Sequence, residues 1–171
     1  MPGRPRSMIR KGRVIDMNWT ARFIHGTEDL SDAYAVRIEV FCDEQGYRLE
    51  QELDELDRRP DTWHLVLYDG GYPAAAGRLY PKGDGVMGLG RLAVRKSYRG
   101  CGLGARMVEE LGRKAAELGA SVSQLDAQTR ARGFYEKQGY RVCGEEHMDG
   151  HVPHVMMEKK LDGISNGFLG K

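Results

Sequence analysis

The segment LAVRKSYRGCGLGARM, residues 92 to 107, decides how this chain folds. It joins the end of an apolar strand to a turn with glycine at alternate positions, Gly100, Gly102 and Gly104, and then to an amphipathic helix. Glycine allows a positive φ and lets the backbone come close to a ligand. The free N–H groups and partial positive charge of a helix N-terminus favour an anion. The segment therefore predicts an anion-binding loop.

Positive charge accompanies this loop, because Arg95, Lys96 and Arg99 stand just before or at its start. Inward-pointing amides and nearby cations together suit a diphosphate group. No lysine followed by serine or threonine ends the turn, which argues against the phosphate loop of nucleoside triphosphatases. A glycine-rich connection that binds nothing is the structural alternative.

A dinucleotide site of the Rossmann type is a second alternative. Gly100, Gly102 and Ala105 fit the pattern G-x-G-x-x-A, and Asp126 follows roughly 20 residues later, where a ribose-binding acid is expected. However, five residues separate Val94 from Gly100, whereas the Rossmann turn follows its strand tightly. The chain after Asp126 is also too short for the remaining strands of that fold.

The loop resembles the pyrophosphate loop of the GNAT superfamily of acyl-CoA N-acyltransferases, through RGCGLG at 99 to 104 after LAV at 92 to 94. The sequence FYEKQGY, residues 134 to 140, is similar to a second segment of that superfamily. VFCDEQ, residues 40 to 45, resembles the ElaA-like branch. Shorter similarities to that branch are His64, Ala127 with Gln128, and Pro153 with His154. The resemblance spans about residues 17 to 161, nearly the whole chain.

The resemblance implies an α/β fold of the α+β kind, with helices flanking a mixed, mostly antiparallel sheet. Residue periodicity and turn signals predict the element order β-α-β-β-β-α-β-α-β-β, which agrees with that fold. We predict one domain at residues 17 to 161. A basic, disordered tail is expected before it at residues 1 to 16, and a loose tail after it at residues 162 to 171.

The activity implied by the resemblance is transfer of an acetyl group from acetyl-CoA to a primary amine of a small molecule or peptide. Both substrates would be bound at once, with no covalent enzyme intermediate. The residues expected to bind acetyl-CoA lie at the end of the strand, in the loop and at the end of a later strand. They are Leu92, Ala93, Val94, Arg99, Gly100, Cys101, Gly102, Leu103, Gly104 and Gln128.

The resemblance assigns Tyr135 as the acid that protonates the departing thiolate; a core aromatic is the structural alternative. A base is also useful, because a lysine-like amine has a pKa near ~10.4 and is almost fully protonated at pH 7. Many members of the superfamily carry a glutamate on the strand before the loop, but residues 86 to 94 contain no acid. The base is left open among Glu44, His64, His154 and a water held between them.

The missing strand glutamate also favours a non-catalytic module that binds CoA and has lost the chemistry. The presence of Tyr135 opposes that alternative.

An acidic run occupies residues 43 to 61, with eight acids and three arginines. Such a run is ordinarily a solvated face of the protein. The resemblance places this run where substrate loops lie in the GNAT superfamily, and carboxylates there would attract a cationic amine.

Composition limits the partners and the compartment. The chain has 26 basic and 25 acidic residues, and without residues 1 to 16 it has 21 and 24, which argues against nucleic acid as a partner. No apolar run approaches 18 residues, so no membrane span is predicted. Cys42, Cys101 and Cys143 are sparse and odd in number, which favours the reducing cytoplasm. We expect no metal site, and a homodimer is one possible assembly.

Overall fold

The computed structural model describes residues 6 to 10, 13 to 17 and 19 to 161. The predicted C-terminal tail, residues 162 to 171, lies outside this range. The strands are β1 (Arg6–Arg10), β2 (Arg13–Met17), β3 (Trp19–His25), β4 (Trp63–Asp69), β5 (Tyr72–Gly83), β6 (Val86–Val94), β7 (Val122–Gln128), β8 (Arg141–Asp149) and β9 (Val152–Lys160). The α-helices are α1 (Ser31–Arg37), α2 (Leu49–Glu52), α3 (Leu103–Glu117) and α4 (Arg132–Lys137). A π-helical segment, Ile38–Glu44, continues α1, and short 3₁₀ turns occupy Glu55–Arg58, Lys96–Tyr98 and Thr129–Ala131.

Strands β1 and β2 pair as an antiparallel ribbon, with a register from Arg6↔Met17 to Arg10↔Arg13. This differs from the disordered tail predicted for residues 1 to 16. The basic residues suggested solvation, but Ile9, Val14 and Ile15 are β-branched residues that favour extended pairing.

The other seven strands form one sheet in the order β3-β4-β5-β6-β7-β9-β8. Strands β6 and β7 are parallel from Val86↔Val122 to Leu89↔Leu125, whereas β3 with β4, β7 with β9 and β8 with β9 are antiparallel. The parallel pair follows from the chain order, because α3 makes the crossover between its two strands. The predicted mixed, mostly antiparallel sheet with flanking helices is therefore confirmed.

The chain divides into two compact units. The first comprises residues 1 to 77 and 91 to 107. Its core contains apolar residues of β3, α1 and the π-helical segment together with residues of β4, β5 and β6. They are Ile24, Leu30, Ala33, Val36, Val40, Val66, Ala76 and Ala93. The predicted amphipathic helix after Thr27 forms, although it begins at Ser31.

The second unit comprises residues 78 to 90 and the described residues from 108 to 161. Alternate residues of β7 and β9 face the core of this unit. They are Leu125, Ala127, Val155 and Met157, which are all buried. A 2.6 Å hydrogen bond between the hydroxyls of Ser123 and Tyr140 adds a polar contact within this buried region.

Helix α3 follows its predicted pattern over four turns. Leu103, Met107, Leu111 and Ala115 are buried, as the 3.6-residue period predicts. The same period would place Leu118 on this face, but Leu118 is 46% exposed because the helix has ended at Glu117 and the chain reverses at Gly119, φ +91°. Of the described helices, none combines the length and apolar character needed to cross a membrane.

Candidate active site

The anion loop, residues 99 to 104, has the backbone shape that its glycines predict, with one difference. Gly100 and Gly102 have φ values of +75° and +79°, whereas Gly104 already lies within α3 and has no positive φ. A Cβ built on Gly100 or Gly102 would meet no atom of the protein within 4 Å. Glycine is therefore needed at these two positions for the positive φ, and the space beside both residues is open.

The start of α3 supplies the donors of this loop. The first helical hydrogen bond runs from the Arg106 N–H to the Gly102 carbonyl at 3.1 Å. The N–H groups of Leu103, Gly104 and Ala105 precede that bond, so the helix itself cannot satisfy them. Together with the positive end of a 15-residue helix, they form a site suited to an anion.

The side chain of Arg99, at the start of the anion loop, is held in place by two contacts. Its Nε donates to the Val94 carbonyl at 2.9 Å, and its Nη2 contacts the Glu44 carboxylate at 2.9 to 3.0 Å. Both side chains are partly exposed, at 42% and 30%. An incoming phosphate would therefore meet a guanidinium that already has a carboxylate partner.

The other two cations have different positions. Arg95 is buried: its Nε donates to the Pro73 carbonyl at 2.7 Å, its Nη1 contacts Glu39 at 3.0 Å, and its guanidinium lies over the Tyr72 ring. It supports the loop rather than presenting a free charge. Lys96 is exposed on the turn before the loop.

The strand that leads into the loop carries three of the residues predicted to bind acetyl-CoA. Ala93 is buried, while Leu92 and Val94 are half-buried. Cys101 is also half-buried, and its thiol contacts the Arg99 carbonyl at 3.3 Å, in keeping with a small packing residue.

The acidic run is not simply a solvated face. Five of its eight carboxylates form ion pairs with arginines, three of which lie outside the run. These pairs are Glu44 with Arg99, Glu52 and Asp57 with Arg37, Asp54 with Arg91, and Asp61 with Arg59. Glu52 and Asp57 are buried with Arg37. Much of the negative charge is thus used to fix the segment.

His64 lies in β4 and is fully buried. Its Nε2 is 2.9 Å from the Asp57 carbonyl oxygen, which can only accept, so Nε2 donates. This contact ties β4 to the acidic run. This buried, hydrogen-bonded environment is that of a structural residue rather than that of a base which meets a substrate.

Tyr135 lies in α4 and keeps only 9% of its surface exposed. Its ring makes edge contacts with Phe134 and Tyr140, at centroid distances of 5.0 and 6.1 Å. Burial is the main cause that raises the pKa of the Tyr135 phenol above its ordinary value, with a smaller contribution from Tyr140. Within the described part of the chain, its hydroxyl makes no hydrogen bond.

His154 and Gln128 are direct partners in the pairing of β7 with β9. The His154 Nδ1 lies 2.9 Å from the Val152 carbonyl oxygen, so this nitrogen carries a proton and the lone pair of the neutral ring is on Nε2. The nearest carboxylate oxygen to Nε2, from Asp149, is 3.8 Å away. His154 is therefore held in one tautomer, while its other nitrogen can accept a proton. Gln128 accepts a 2.9 Å hydrogen bond from Arg130.

One further pair of titratable residues was not predicted from the sequence. The His147 Nε2 contacts an Asp126 carboxylate oxygen at 2.8 Å, and its Nδ1 lies 3.3 Å from the Glu145 carbonyl. The hydrogen bond to Asp126, and then the one to Glu145, raise the pKa of His147. His147 pairs with His154 across β8 and β9, with ring centroids 6.3 Å apart. Asp126, considered above as a ribose-binding acid, thus has a histidine partner.

Comparison with known proteins gives a family match over most of the chain. The model of the acetyltransferase (GNAT) domain family matches residues 28 to 161. The N-acetyltransferase YjcF of Bacillus subtilis, which is uncharacterized, is 46% identical over 133 residues, covering 77% of this chain and 93% of YjcF.

Solved structures give the same fold. An acyl-CoA N-acyltransferase from Pseudomonas aeruginosa superposes with a TM-score of 0.73 and 27% identity, covering 84% of this chain and 99% of that one. Escherichia coli ElaA superposes with a TM-score of 0.74 over 82% of this chain and 99% of its own. At 22% identity, the likeness to ElaA concerns the fold alone.

Proposed function

The chain belongs to the acetyltransferase (GNAT) domain family and is an acyltransferase, and from this premise we propose that it moves an acetyl group from acetyl-CoA to a primary amine. The observation that carries the proposal is the anion loop: two left-handed glycines with open space in front of them lead into the free N–H groups of α3. The family match and the mixed, mostly antiparallel sheet remove the Rossmann alternative.

The donor end of the site is proposed to lie along β6 and the anion loop. The amides of Gly100 to Ala105 would donate to the diphosphate, and Arg99 would exchange its Glu44 partner for a phosphate oxygen. The exchange is feasible because both side chains of that pair are partly exposed, where an ion pair contributes only about 0 to 1 kcal/mol. Leu92, Ala93 and Val94 would border the pantetheine arm. Bound acetyl-CoA supplies the activated acyl group.

Tyr135 is proposed to stabilise the departing thiolate by donating a hydrogen bond. Because burial raises the pKa of its phenol, the O–H stays intact throughout the physiological pH range. Complete proton transfer to a thiolate, whose pKa is near ~8.5, would be unfavourable from so weak an acid. A charge-assisted hydrogen bond is thus the better description of its role.

His154 is proposed as the base that accepts the proton released when the amine nitrogen forms its bond to the acyl carbon. Its Nδ1–H is fixed on the Val152 carbonyl, which leaves Nε2 as the accepting atom. Glu44, which Arg99 would release on binding the phosphate, is the second candidate for the base. His64 is less suited because it is fully buried and donates its Nε2–H to Asp57.

The direct experiment combines binding with turnover. Calorimetry should detect acetyl-CoA binding, NAD should not bind, and release of free CoA thiol should follow the addition of an accepted amine. Binding of acetyl-CoA without turnover over a broad panel of small and peptide amines would instead favour the non-catalytic module. The cytoplasmic location and the homodimer stay predictions, and light scattering tests the latter.

A further inference from the structure

Arg91 combines a rare backbone conformation with an extensive set of contacts. Its φ is +52°, and among the described residues only Asp84 is another non-glycine residue with a positive φ. An arginine in this region is strained, and glycine would occupy it without steric cost. Asp84 lies in the hairpin turn between β5 and β6, where such angles are common, whereas Arg91 lies inside β6. We therefore expect contacts of the arginine side chain to offset the cost of this backbone conformation.

The side chain of Arg91 donates hydrogen bonds to the C-terminal end of α2. Its Nε donates to the Glu52 carbonyl and its Nη2 to the Gln51 carbonyl, both at 3.2 Å. Nη2 also contacts the Asp54 carboxylate at 3.2 Å. The last carbonyls of a helix have no helical partner and carry partial negative charge, so a guanidinium satisfies them well.

A second arginine holds the same segment from another side. Arg37 is fully buried; its Nε contacts the Glu52 carboxylate at 2.9 Å, and its Nη1 contacts Asp57 at 2.8 Å. The other oxygen of the Glu52 carboxylate lies 3.4 Å from the Arg91 Nε. Two guanidinium groups thus share one buried carboxylate, and residues 49 to 57 are fixed between α1 and β6.

Arg91, which holds the segment, directly precedes Leu92, the first of the strand residues proposed to border the pantetheine arm. The attached segment, residues 49 to 57, carries two exposed carboxylates, Glu50 and Glu55, which form no ion pair among the described residues, and the exposed Leu49. Such a surface suits an amine that has both a positive charge and an apolar portion. The guanidinium of Arg91 contacts this segment and makes no recorded contact with the anion loop in the described structure.

From this arrangement we infer that Arg91 is a positioning residue that fixes the acidic segment 49 to 57 beside β6 and thereby sets the affinity for the acceptor amine. The inference rests on the proposed function for its link to the amine. The attachment of the segment itself stands on the contacts alone.

The test compares two substitutions that relieve the same backbone strain. Arg91→Gly keeps the left-handed conformation and removes the side-chain contacts, while Asp84→Gly relieves strain in the hairpin turn between β5 and β6. In Arg91→Gly, we expect the KM for the amine to rise about tenfold or more, with kcat and acetyl-CoA affinity changed less than about threefold. Asp84→Gly should match the wild type in all three. Arg91→Lys, which keeps the charge without the planar fork, should fall between them.

Hydrogen exchange of the free protein provides a readout that needs no substrate. Amides of residues 49 to 57 should exchange faster in Arg91→Gly and at the wild-type rate in Asp84→Gly. If Arg91→Gly unfolds, Arg91→Asn serves instead, because asparagine tolerates a positive φ and cannot reach α2.

Wild-type exchange in this segment together with a wild-type KM for the amine would overturn the inference. If the wild-type protein binds acetyl-CoA but acetylates no amine, the proposed function fails, while the exchange result still decides whether Arg91 holds the segment.

Discussion

Replacing Gly102 by alanine isolates the role of the anion loop, because the protein itself has room for the methyl group. The φ at this position is +79°, and a Cβ would meet no protein atom within 4 Å. The only cost to folding is the left-handed conformation, about 1 to 2 kcal/mol, which is partly offset by a stiffer unfolded chain. For a chain of this size we expect the melting temperature to fall by roughly 2 to 6 °C.

Gly70 provides a matched control. It has φ +62°, also with no atom within 4 Å of a built Cβ, and it lies in the hairpin between β4 and β5, away from the loop sequence. Gly70→Ala should lower the melting temperature by a similar amount.

The two variants should differ in binding. In Gly102→Ala the methyl group would occupy the space proposed for the diphosphate, so calorimetry should give an acetyl-CoA Kd at least about tenfold higher, equivalent to about 1.4 kcal/mol. Gly70→Ala should keep the wild-type Kd. Equal Kd values in the two variants would refute the assignment of the loop.

Four further predictions address the charge of the site, the acid, the base and the dependence of stability on pH. Gly104→Asp should abolish acetyl-CoA binding while the melting temperature stays level or rises, because an acid in the first turn of α3 is favourable for the helix; retained binding would contradict the diphosphate assignment. Tyr135→Phe should lower kcat by about 10- to 150-fold, the loss of one charge-assisted hydrogen bond, with an unchanged Kd for acetyl-CoA by calorimetry. His154→Gln should lower kcat by about 10²- to 10⁴-fold in the CoA-release assay; a wild-type rate would leave the base to another group. The hydrogen bond to Asp126 raises the pKa of His147, so this pair stabilises the fold at pH values below 6.5. The stabilisation is lost as the pH rises through the folded-state pKa of His147. Asp126→Asn should therefore make the melting temperature less dependent on pH in this range.

The anion loop could be predicted because its signals are local. Alternate glycines, a preceding strand and a following amphipathic helix lie within 16 residues, and α3 begins where that pattern places it. Even here, the sequence cannot tell which glycines take a positive φ. Gly104 falls inside the helix because the Gly102 carbonyl accepts the first helical hydrogen bond, from the Arg106 N–H, two residues earlier than a turn of three glycines would require.

The acidic segment shows what sequence alone cannot give. Its carboxylates are paired by Arg37, Arg91 and Arg99, which the chain supplies from α1, β6 and the anion loop. These contacts join residues as much as 55 positions apart, so no local sequence pattern predicts them. The charge pattern alone indicates a solvated face, whereas part of the run is buried and forms long-range ion pairs.

The pair of His147 and Asp126 was missed for a related reason. The hairpin turn alone sets the pairing of His147 with His154, because the register between them and the turn is uninterrupted. Asp126, however, lies on β7, and β9 separates β7 from β8 in the sheet. The contact therefore depends on the order of the strands, which no local pattern in the sequence gives.

The most direct measurement is a crystal structure of the protein with bound acetyl-CoA. We predict that the two bridging phosphates lie within hydrogen-bonding distance of the amides of residues 100 to 105, and that Arg99 has left Glu44 for a phosphate oxygen. A coenzyme that binds with its diphosphate away from these amides, while the loop keeps the conformation described above, would contradict the central claim.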